Sequence, residues 1–471
     1  MIQTIIALSL TSFCTYSNVA KSITMNKPLG AFLQGSLSRV RQIGSGSRTT
    51  TGATFVLGNE AADADSIISS LTYAFLKQWK CDNASCNPSL DNLKTPIIPI
   101  TSIKRSEMHL RRDVGLLLIE VGMKLDDLIC IDECNIEKIS VEKNLDLILV
   151  DHNKLSNSVA TLLCADEDHH SIVKEVIDHH EDSGLYGAAF IREVAFDMEN
   201  KKPEVGSTCT IVAEKFLQNE NIGALNADIA TLLIAVIAVD TLNMDPTKKR
   251  GTFRDQAALD SLQMHFPDIR RDYLFSLLMN AKTDPSFWES LSAKDTLLMD
   301  CKEFQFEKKK ELLSEFEAST NRNNQQFASF SVPSILQSAE SFLSKSDLDK
   351  ELLSYFYPSK ESDSKSLTDD FNNDEKPEKI NAIMIVMALT FQPEVQRSLL
   401  LFSNSEERIK SLCAYLSLEE NNIQLSRLES VDDVCVRVKD GRGDIYLAGY
   451  RQGNIEMSRK QIAPLISWFD L

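Results

Sequence analysis

The stretch LDLILVDHN (145–153) constrains the fold more than any other. Leu147, Ile148, Leu149 and Val150 are consecutive apolar residues, so they do not suit a half-exposed strand whose alternate side chains face water. They suit a strand buried on both faces, as in a parallel sheet covered by helices. The run stops at Asp151 and His152, and a carboxylate cannot stay buried and ionised there without a partner. ATFVLGNE opens in the same way, and SIISSLTYAFLKQW follows with Ile67, Leu71 and Phe75 at helical spacing. Strand, loop and helix in that order begin an α/β domain. SIVKEVIDHH repeats the theme through Val173, Val176 and Ile177 before Asp178. DIATLLIAVIAVDTLNM is too long for a strand and reads as a buried helix ending at Asp240. Acidic residues thus close several apolar elements, and ligands of open α/β sheets bind outside the carboxyl ends of the strands.

A chain of 471 residues exceeds one ordinary core, so two domains are expected. Residues 1–50 form an N-terminal extension with a leading helix, 51–280 the first α/β domain and 281–300 a helical linker. Residues 301–471 form a second, smaller α/β domain. From about 255 to 350 the pattern reads as helical and charged, including LLMDCKEFQFEKKKELLSEFE. INAIMIVMAL, SLLLFS, VCVRVK and IYLAGY then read as strands, with SEERIKSLCAYL as a helix between them. The segment 358–379 is polar, flanked by proline and nearly devoid of apolar residues, so a disordered surface insert is expected.

A net charge of −18 argues against general nucleic-acid binding, which needs a basic footprint. A polyanion can still bind through a local cationic patch. No apolar run reaches the length of a membrane span. The ten cysteines include no C-x-x-C pair; Cys81/Cys86 and Cys130/Cys134 are the closest spacings, which suits reduced thiols in the cytoplasm. No acidic residue precedes Glu60, whereas Lys21, Lys27, Arg39, Arg41 and Arg48 do, a composition that also suits a mitochondrial presequence. A non-functional extension before Met25 is the other reading of residues 1–24.

In GNEAADADS, Gly58 lets the chain turn, and Asp63 and Asp65 can aim at neighbouring points, as two cations about 3.5–4 Å apart require. The plain alternative makes Asp65 or Ser66 a helix cap. The tripeptide Asp-His-His occurs twice, at 168–170 and 178–180. The first copy follows the acidic CADED, where an exposed loop is expected; the second follows an apolar run and emerges at a strand end. The second is therefore the functional candidate. TKKR (247–250) and SRK (458–460) supply cations, although such runs are usually solvated faces.

GNEAADADS, LVDHN, IDHH and AVDTLNMD, in that order, resemble the motifs of the DHH phosphoesterase superfamily. DCKEF and SRKQIAP resemble the DHH-associated domain of manganese-dependent pyrophosphatases and fungal exopolyphosphatases. The likeness spans roughly residues 50 to 471 and extends to LGAFLQGSLSRV (29–40), similar to the helix preceding the first strand in exopolyphosphatases. Asn59 stands where pyrophosphatases carry a metal-binding histidine, which disfavours that branch and favours eukaryotic exopolyphosphatases and their prune-type relatives. No G-G-G-H motif of the family's nucleases occurs.

The resemblance implies an α/β fold of two domains with the active site in the cleft between them. It implies two divalent ions, with Asp63 and Asp240 on one, Asp65 and His179 on the other, and Asp151 bridging. Asn59 would reach the first ion through a longer or water-mediated contact. Because an amide replaces an imidazole, Mg²⁺ is expected, with Mn²⁺ or Co²⁺ next. His180 would act on the phosphate as a donor, with His152 and Asn153 lining the site. Lys302, Ser458, Arg459 and Lys460 would clamp the substrate, joined by Arg111 from MHLRRDVG, for which a surface helix start is the rival reading. The implied activity is release of orthophosphate from the end of inorganic polyphosphate by a monomer. A prune-like enzyme of short polyphosphates or nucleotides, and a non-catalytic regulator with the same fold, are the alternatives.

Overall fold

A helix, α1 (Pro28–Gly44), leads into β1 (Ala53–Leu57), the strand around which the N-terminal unit is organised. The computed structural model describes residues 28–44, 52–83, 95–134, 145–156, 159–160, 171–306, 328–357, 380–391, 394–431 and 433–469. After β1 come α2 (Ala64–Asn83), β2 (Ile97–Ile100), α3 (Arg112–Glu120), β3 (Leu145–Val150), β4 (Val173–Asp178) and β5 (Ile191–Val194). The helices α4 (Thr208–Phe216), α5 (Ala227–Asp240) and α6 (Phe253–His265) follow. The strands form one sheet in the order β2-β1-β3-β4-β5, with every pairing parallel. The order reverses between β1 and β3, and such a reversal opens a crevice at the carboxyl ends of those two strands.

Alternation along β1 shows why the sheet is buried on both faces. Phe55 and Leu57 enter one apolar layer with Val40 of α1, and Val56 enters the other with Ile68 and Leu71 of α2. Helix α5 is apolar around its whole circumference, as a helix enclosed by its neighbours must be. Its start is fixed by Asn226, whose side-chain oxygen accepts from the amides of Asp228 and Ile229. Among the described residues no helix is long and apolar enough to cross a membrane.

The chain divides into two compact units, Met1–Lys282 and Thr283–Leu471. The second unit is built on a mixed sheet of β6 (Cys301–Gln305), β7 (Ala328–Ile335), β8 (Ile380–Thr390), β9 (Gln396–Ser403), β10 (Leu425–Arg427), β11 (Cys435–Asp440) and β12 (Gly443–Gln452). Its order is β10-β12-β9-β8-β7-β6, with β11 also paired to β12, and only β7 and β8 run parallel. Helices α7 (Glu406–Leu416) and α8 (Arg459–Ser467) pack Leu412 and Ile462 into its core. One expectation needs correction here: DCKEF lies in strand β6, not in a helical stretch. Lys302 pairs with Val332 and Phe304 with Phe330, and the two phenyl rings stack with centroids 5.3 Å apart. A five-residue strand is too short to announce itself against the charged sequence that follows. The insert 358–379, residues 1–24 and the first Asp-His-His copy lie outside the described residues.

On the α2 face of the sheet, Glu175 of β4 is buried and accepts from Tyr73 Oη at 2.7 Å and Lys77 Nζ at 2.5 Å. Removing one member of a buried pair leaves the other charge uncompensated. Glu175→Ala is expected to cost about 3 kcal/mol, the lower end of the range for buried pairs because Lys77 keeps some contact with water. Urea titration checks this: a loss below about 1 kcal/mol, the size expected for an exposed pair, would show that the triad adds little.

A carboxylate-lined candidate metal centre

Asp151 is the residue immediately after β3, at the crevice between β1 and β3. It is 2% exposed and adopts φ 62°, a left-handed backbone uncommon for any residue but glycine. Its Oδ2 accepts from Ser66 Oγ at 2.7 Å and from Asn59 Nδ2 at 2.8 Å, while Oδ1 lies 3.2 Å from Thr208 Oγ1. Ser66 can reach it because Gly58 has no side chain: a Cβ there would stand 2.8 Å from the Ser66 carbonyl oxygen. Burial, followed by the charges of Asp65, Asp63 and Asp178, pushes the Asp151 carboxyl well above the usual carboxylate range.

Asp65 belongs to the first turn of α2, but its carboxylate caps a different helix. Oδ1 accepts from Ser207 Oγ at 2.7 Å and Cys209 N at 2.9 Å, and Oδ2 accepts from Thr208 N at 2.7 Å. These amides belong to the start of α4, where free N–H groups and the helix dipole favour a negative charge. Burial still raises its carboxyl above the ordinary value, against the lowering pull of His179. Asp63 is the actual cap of α2: its Oδ1 accepts from Ser66 N at 3.0 Å, and the residue is exposed.

The second Asp-His-His copy closes β4. His179 Nδ1 lies 3.0 Å from the Val205 carbonyl, which can only accept, so Nδ1 carries the proton. Its Nε2 then faces Asp151 Oδ1 at 3.6 Å and Asp65 Oδ2 at 4.0 Å. A neutral imidazole in that tautomer directs a lone pair at carboxylate oxygens, the arrangement of a metal-binding histidine fixed by a carbonyl behind it. His180 Nδ1 stands 2.9 Å from Asp178 Oδ1 and 3.7 Å from Asp151 Oδ1. Asp178 is fully buried; burial alone would raise its carboxyl, yet its hydrogen bonds with His180 and the Asn153 amide hold it below the usual range.

Asp240 ends α5, where the helix dipole is itself negative. Its Oδ2 is closed off from solvent and has no hydrogen-bond partner among the described residues. Burial and then the charges of Asp65 and Asp63 raise its carboxyl well above the ordinary value. Mutually repelling carboxylates, an unpartnered buried oxygen and a histidine presenting a lone pair fit a divalent cation. Ligand atoms of Asp151, His179 and His180 alone lie within 4.8 Å of one another.

Asp63, Asp65, Asp151, His179, His180 and Asp240 are thus linked around the Asp65–Asp151 core by hydrogen bonds, short approaches or electrostatic coupling. Asn59, expected at a metal-ligand position, makes hydrogen bonds through both ends of its amide. Its Oδ1 accepts from Ala61 N at 2.9 Å, and its Nδ2 donates to Asp151. Arg111 departs from expectation: it is 4% exposed, and its guanidinium donates to the Ala62 carbonyl at 2.8 Å and the Ala61 carbonyl at 2.5 Å. It braces the loop holding Asp63, where Ala62 has φ 45°, rather than standing ready for substrate. His152 Nδ1 lies 2.9 Å from the Val150 carbonyl, and Asn153 donates to Asp178 Oδ2 at 2.5 Å. In the second unit Lys302 lies on β6 and Ser458 caps α8 just before Arg459 and the exposed Lys460. Arg459 is engaged within its own unit, with Asp300 Oδ1 at 2.7 Å and the Val332 carbonyl at 3.0 Å. Sequence reasoning missed Ser207 and Thr208; a Gly-Ser-Thr ahead of the apolar TIVAEKF was the available cap signal.

The description "DHH family, N-terminal domain" matches residues 53–237, and "DHHA2 domain" matches residues 276–469. The chain is 28% identical over 414 residues to exopolyphosphatase PRUNE1 of Rattus norvegicus, covering 87% of this chain and 74% of the relative. It is 32% identical to the Homo sapiens protein of the same name over 232 residues, 49% of this chain and 46% of the relative. A manganese-dependent inorganic pyrophosphatase of Methanothrix thermoacetophila is 26% identical over 253 residues, 54% of this chain and 66% of the relative.

The raised carboxyls of Asp65, Asp151 and Asp240 hold protons in the folded state that the unfolded chain releases above about pH 4. Metal-free stability is therefore expected to fall as pH rises above that value. A divalent cation that binds only the folded state should add about 2.7 kcal/mol at a hundredfold excess over its dissociation constant. Asp240→Asn should raise the metal-free melting temperature, flatten its pH dependence and lose most of the gain from Mg²⁺ or Mn²⁺. Thermal scans with chelator and with each cation, between about pH 5 and 8, check this. Metal-free stability that climbs with pH would count against the repulsion.

Proposed function

Since the chain belongs to the DHH family, with a DHH N-terminal domain followed by a DHHA2 domain, we propose that it is a divalent-metal-dependent phosphoanhydride hydrolase that removes the terminal phosphate of inorganic polyphosphate. The observation that carries this reading is the approach of buried Asp65 and Asp151 to His179 Nε2, beside Asp240, whose buried Oδ2 has no hydrogen-bond partner among the described residues. The names of the relatives, exopolyphosphatase and inorganic pyrophosphatase, both denote hydrolysis of P–O–P bonds and support the same chemistry. The acidic balance of −18 favours an inorganic polyanion met at a local site over extended nucleic acid.

Asp63, Asp65, Asp151, His179 and Asp240 would hold two cations. Oxygen donors with a single imidazole favour Mg²⁺, with Mn²⁺ next. When bound, such ions lower the pKa of a coordinated water and offset charge on phosphate oxygens. The chain's own residues do the rest. Ser66, Asn59 and Thr208 surround Asp151 and fix its carboxylate plane. The Val205 carbonyl keeps the Nδ1 proton of His179 in place and so keeps Nε2 basic. Asp178, held ionised, orients the ring of His180 through Nδ1, so that the imidazole is set as the proposed donor toward the phosphate. Attack of water on the terminal phosphorus then yields orthophosphate and a chain one phosphate shorter.

Purified protein with Mg²⁺ is expected to release orthophosphate from long-chain polyphosphate faster than from tripolyphosphate or pyrophosphate. Turnover confined to short substrates would instead favour a prune-like preference, and silence on all three with every cation would end the hydrolase reading. His179→Ala should lower kcat by at least about 100-fold. His169→Ala, in the first copy of the tripeptide, should stay within about twofold of wild type, a change too small to reflect a lost ligand. Equal loss in the two variants would overturn the choice between the copies.

A further inference from the structure

We propose that Asp255, which contacts none of the candidate ligands, is a positioning residue that holds the two separate arms of the metal centre in register. The inference rests on the proposed metal-dependent hydrolase. Asp255 lies in the first turn of α6 and is fully buried. Its carboxylate accepts from Gly206 N through both oxygens, at 3.0 and 2.8 Å, from Thr210 Oγ1 at 2.6 Å, from Thr252 N at 2.7 Å and from Thr252 Oγ1 at 2.9 Å. A helix cap needs only the Thr252 bonds. The bonds to Gly206 and Thr210 reach back some 45 residues to the segment that opens α4.

That segment is what grips the centre. Val205 fixes His179, Ser207 and Cys209 fix Asp65 Oδ1, and Thr208 touches both Asp65 and Asp151. Gly206 lies in its middle with no room to shift: a Cβ there would meet Thr241 Cγ2 at 2.7 Å and the Arg250 carbonyl oxygen at 3.0 Å. Thr241 directly follows Asp240, so the same packing joins the α4 arm to the α5 arm. The turn after Asp240 is held in an unusual shape, with Leu242, Asn243 and Met244 at φ 49°, 56° and 61°. Three successive left-handed residues persist only where their surroundings fix them. Gly251, just before the α6 cap, supplies part of that fixing, because a Cβ on it would strike Met244 Sδ at 2.4 Å. Asp255 thus ties the start of α6 to Gly206, and the tie sets the spacing between Asp65 and Asp240.

Asp255→Ala should weaken Mg²⁺ or Mn²⁺ binding about 10- to 100-fold, as loss of a supporting residue behind metal ligands does. The effect should be visible by calorimetry without any substrate. Hydrogen exchange in the metal-free protein should rise over residues 205–209 and stay unchanged in β1 and β3. Asp255→Asn keeps one oxygen toward Gly206 and Thr252, so it should restore most of the metal affinity. If the alanine variant fails to fold, Thr210→Val, which removes only one donor to Asp255, should still raise exchange at 205–209 and weaken binding by a few-fold. A folded Asp255→Ala protein with wild-type metal affinity and wild-type exchange overturns the proposal. Wild-type protein that binds metal through this tie but hydrolyses no phosphoanhydride would leave the proposal standing and remove the hydrolase reading.

Discussion

Repulsion between carboxylates is the constraint on which the rest of the N-terminal unit depends. Asp65, Asp151 and Asp240 arrive from a helix start, a strand end and a helix end, and all three are raised above the ordinary carboxylate range, burial being the largest cause in each. The unit offsets the cost unevenly. Asp65 has the amides and dipole of α4, and Asp151 has Ser66, Asn59 and Thr208. Asp240 sits at the unfavourable end of a helix dipole, and although Ser207 and the charge of Lys282 favour its ionised form, its Oδ2 has no hydrogen-bond partner among the described residues. A site tuned for stability alone would have replaced that residue with an apolar one. A divalent cation bound beside it would supply the missing favourable term.

Two of the left-handed non-glycine residues flank the same crevice. Asp151 at φ 62° and Ala62 at φ 45° each occupy the left-handed region without being glycine. Such residues cost about 1–3 kcal/mol apiece and last where neighbours over-determine them. Arg111 supplies the restraint for Ala62 through its carbonyl, and the Ile177 carbonyl, which accepts from Asp151 N at 2.9 Å, helps to restrain Asp151. The topology explains why the strain falls there. The reversal of strand order between β1 and β3 opens the crevice, and the chain must turn sharply out of both strands to line it.

The parts of this design that sequence revealed are those written in local pattern. Apolar runs ending in acids marked β3, β4 and α5, because burial demands such runs and a terminal carboxylate breaks them abruptly. Asp151, Asp178 and Asp240 stood out as candidates on that basis, whereas the full set of proposed ligands came only with the family resemblance. What stayed hidden depends on partners distant in the chain. Asp65 looked like a cap for its own helix, yet it caps one that begins 143 residues later, at Thr208. Arg111 looked available for substrate, but its partners are carbonyls some 50 residues earlier, which no side-chain pattern advertises. Asn59 lies at the centre, where its Oδ1 accepts from the amide of Ala61 and its Nδ2 donates to Asp151, bonds that no side-chain pattern announced.

The repeated Asp-His-His shows how far context outweighs composition. At 178–180 the aspartate is the last residue of a central strand and fully buried, so it cannot be a solvated loop residue. Burial alone would drive it toward its neutral form; its hydrogen bonds with His180 and the Asn153 amide more than compensate. The ionised Asp178 in turn fixes the ring of His180, and the T-shaped contact of His179 with His180, centroids 4.5 Å apart, separates their directions. One imidazole then aims Nε2 at the Asp65–Asp151 pair while the other binds Asp178 through Nδ1. Two chemically identical neighbours acquire different tasks because a carbonyl stands behind the first and a buried carboxylate behind the second. The tripeptide alone encodes neither; the strand that precedes it does.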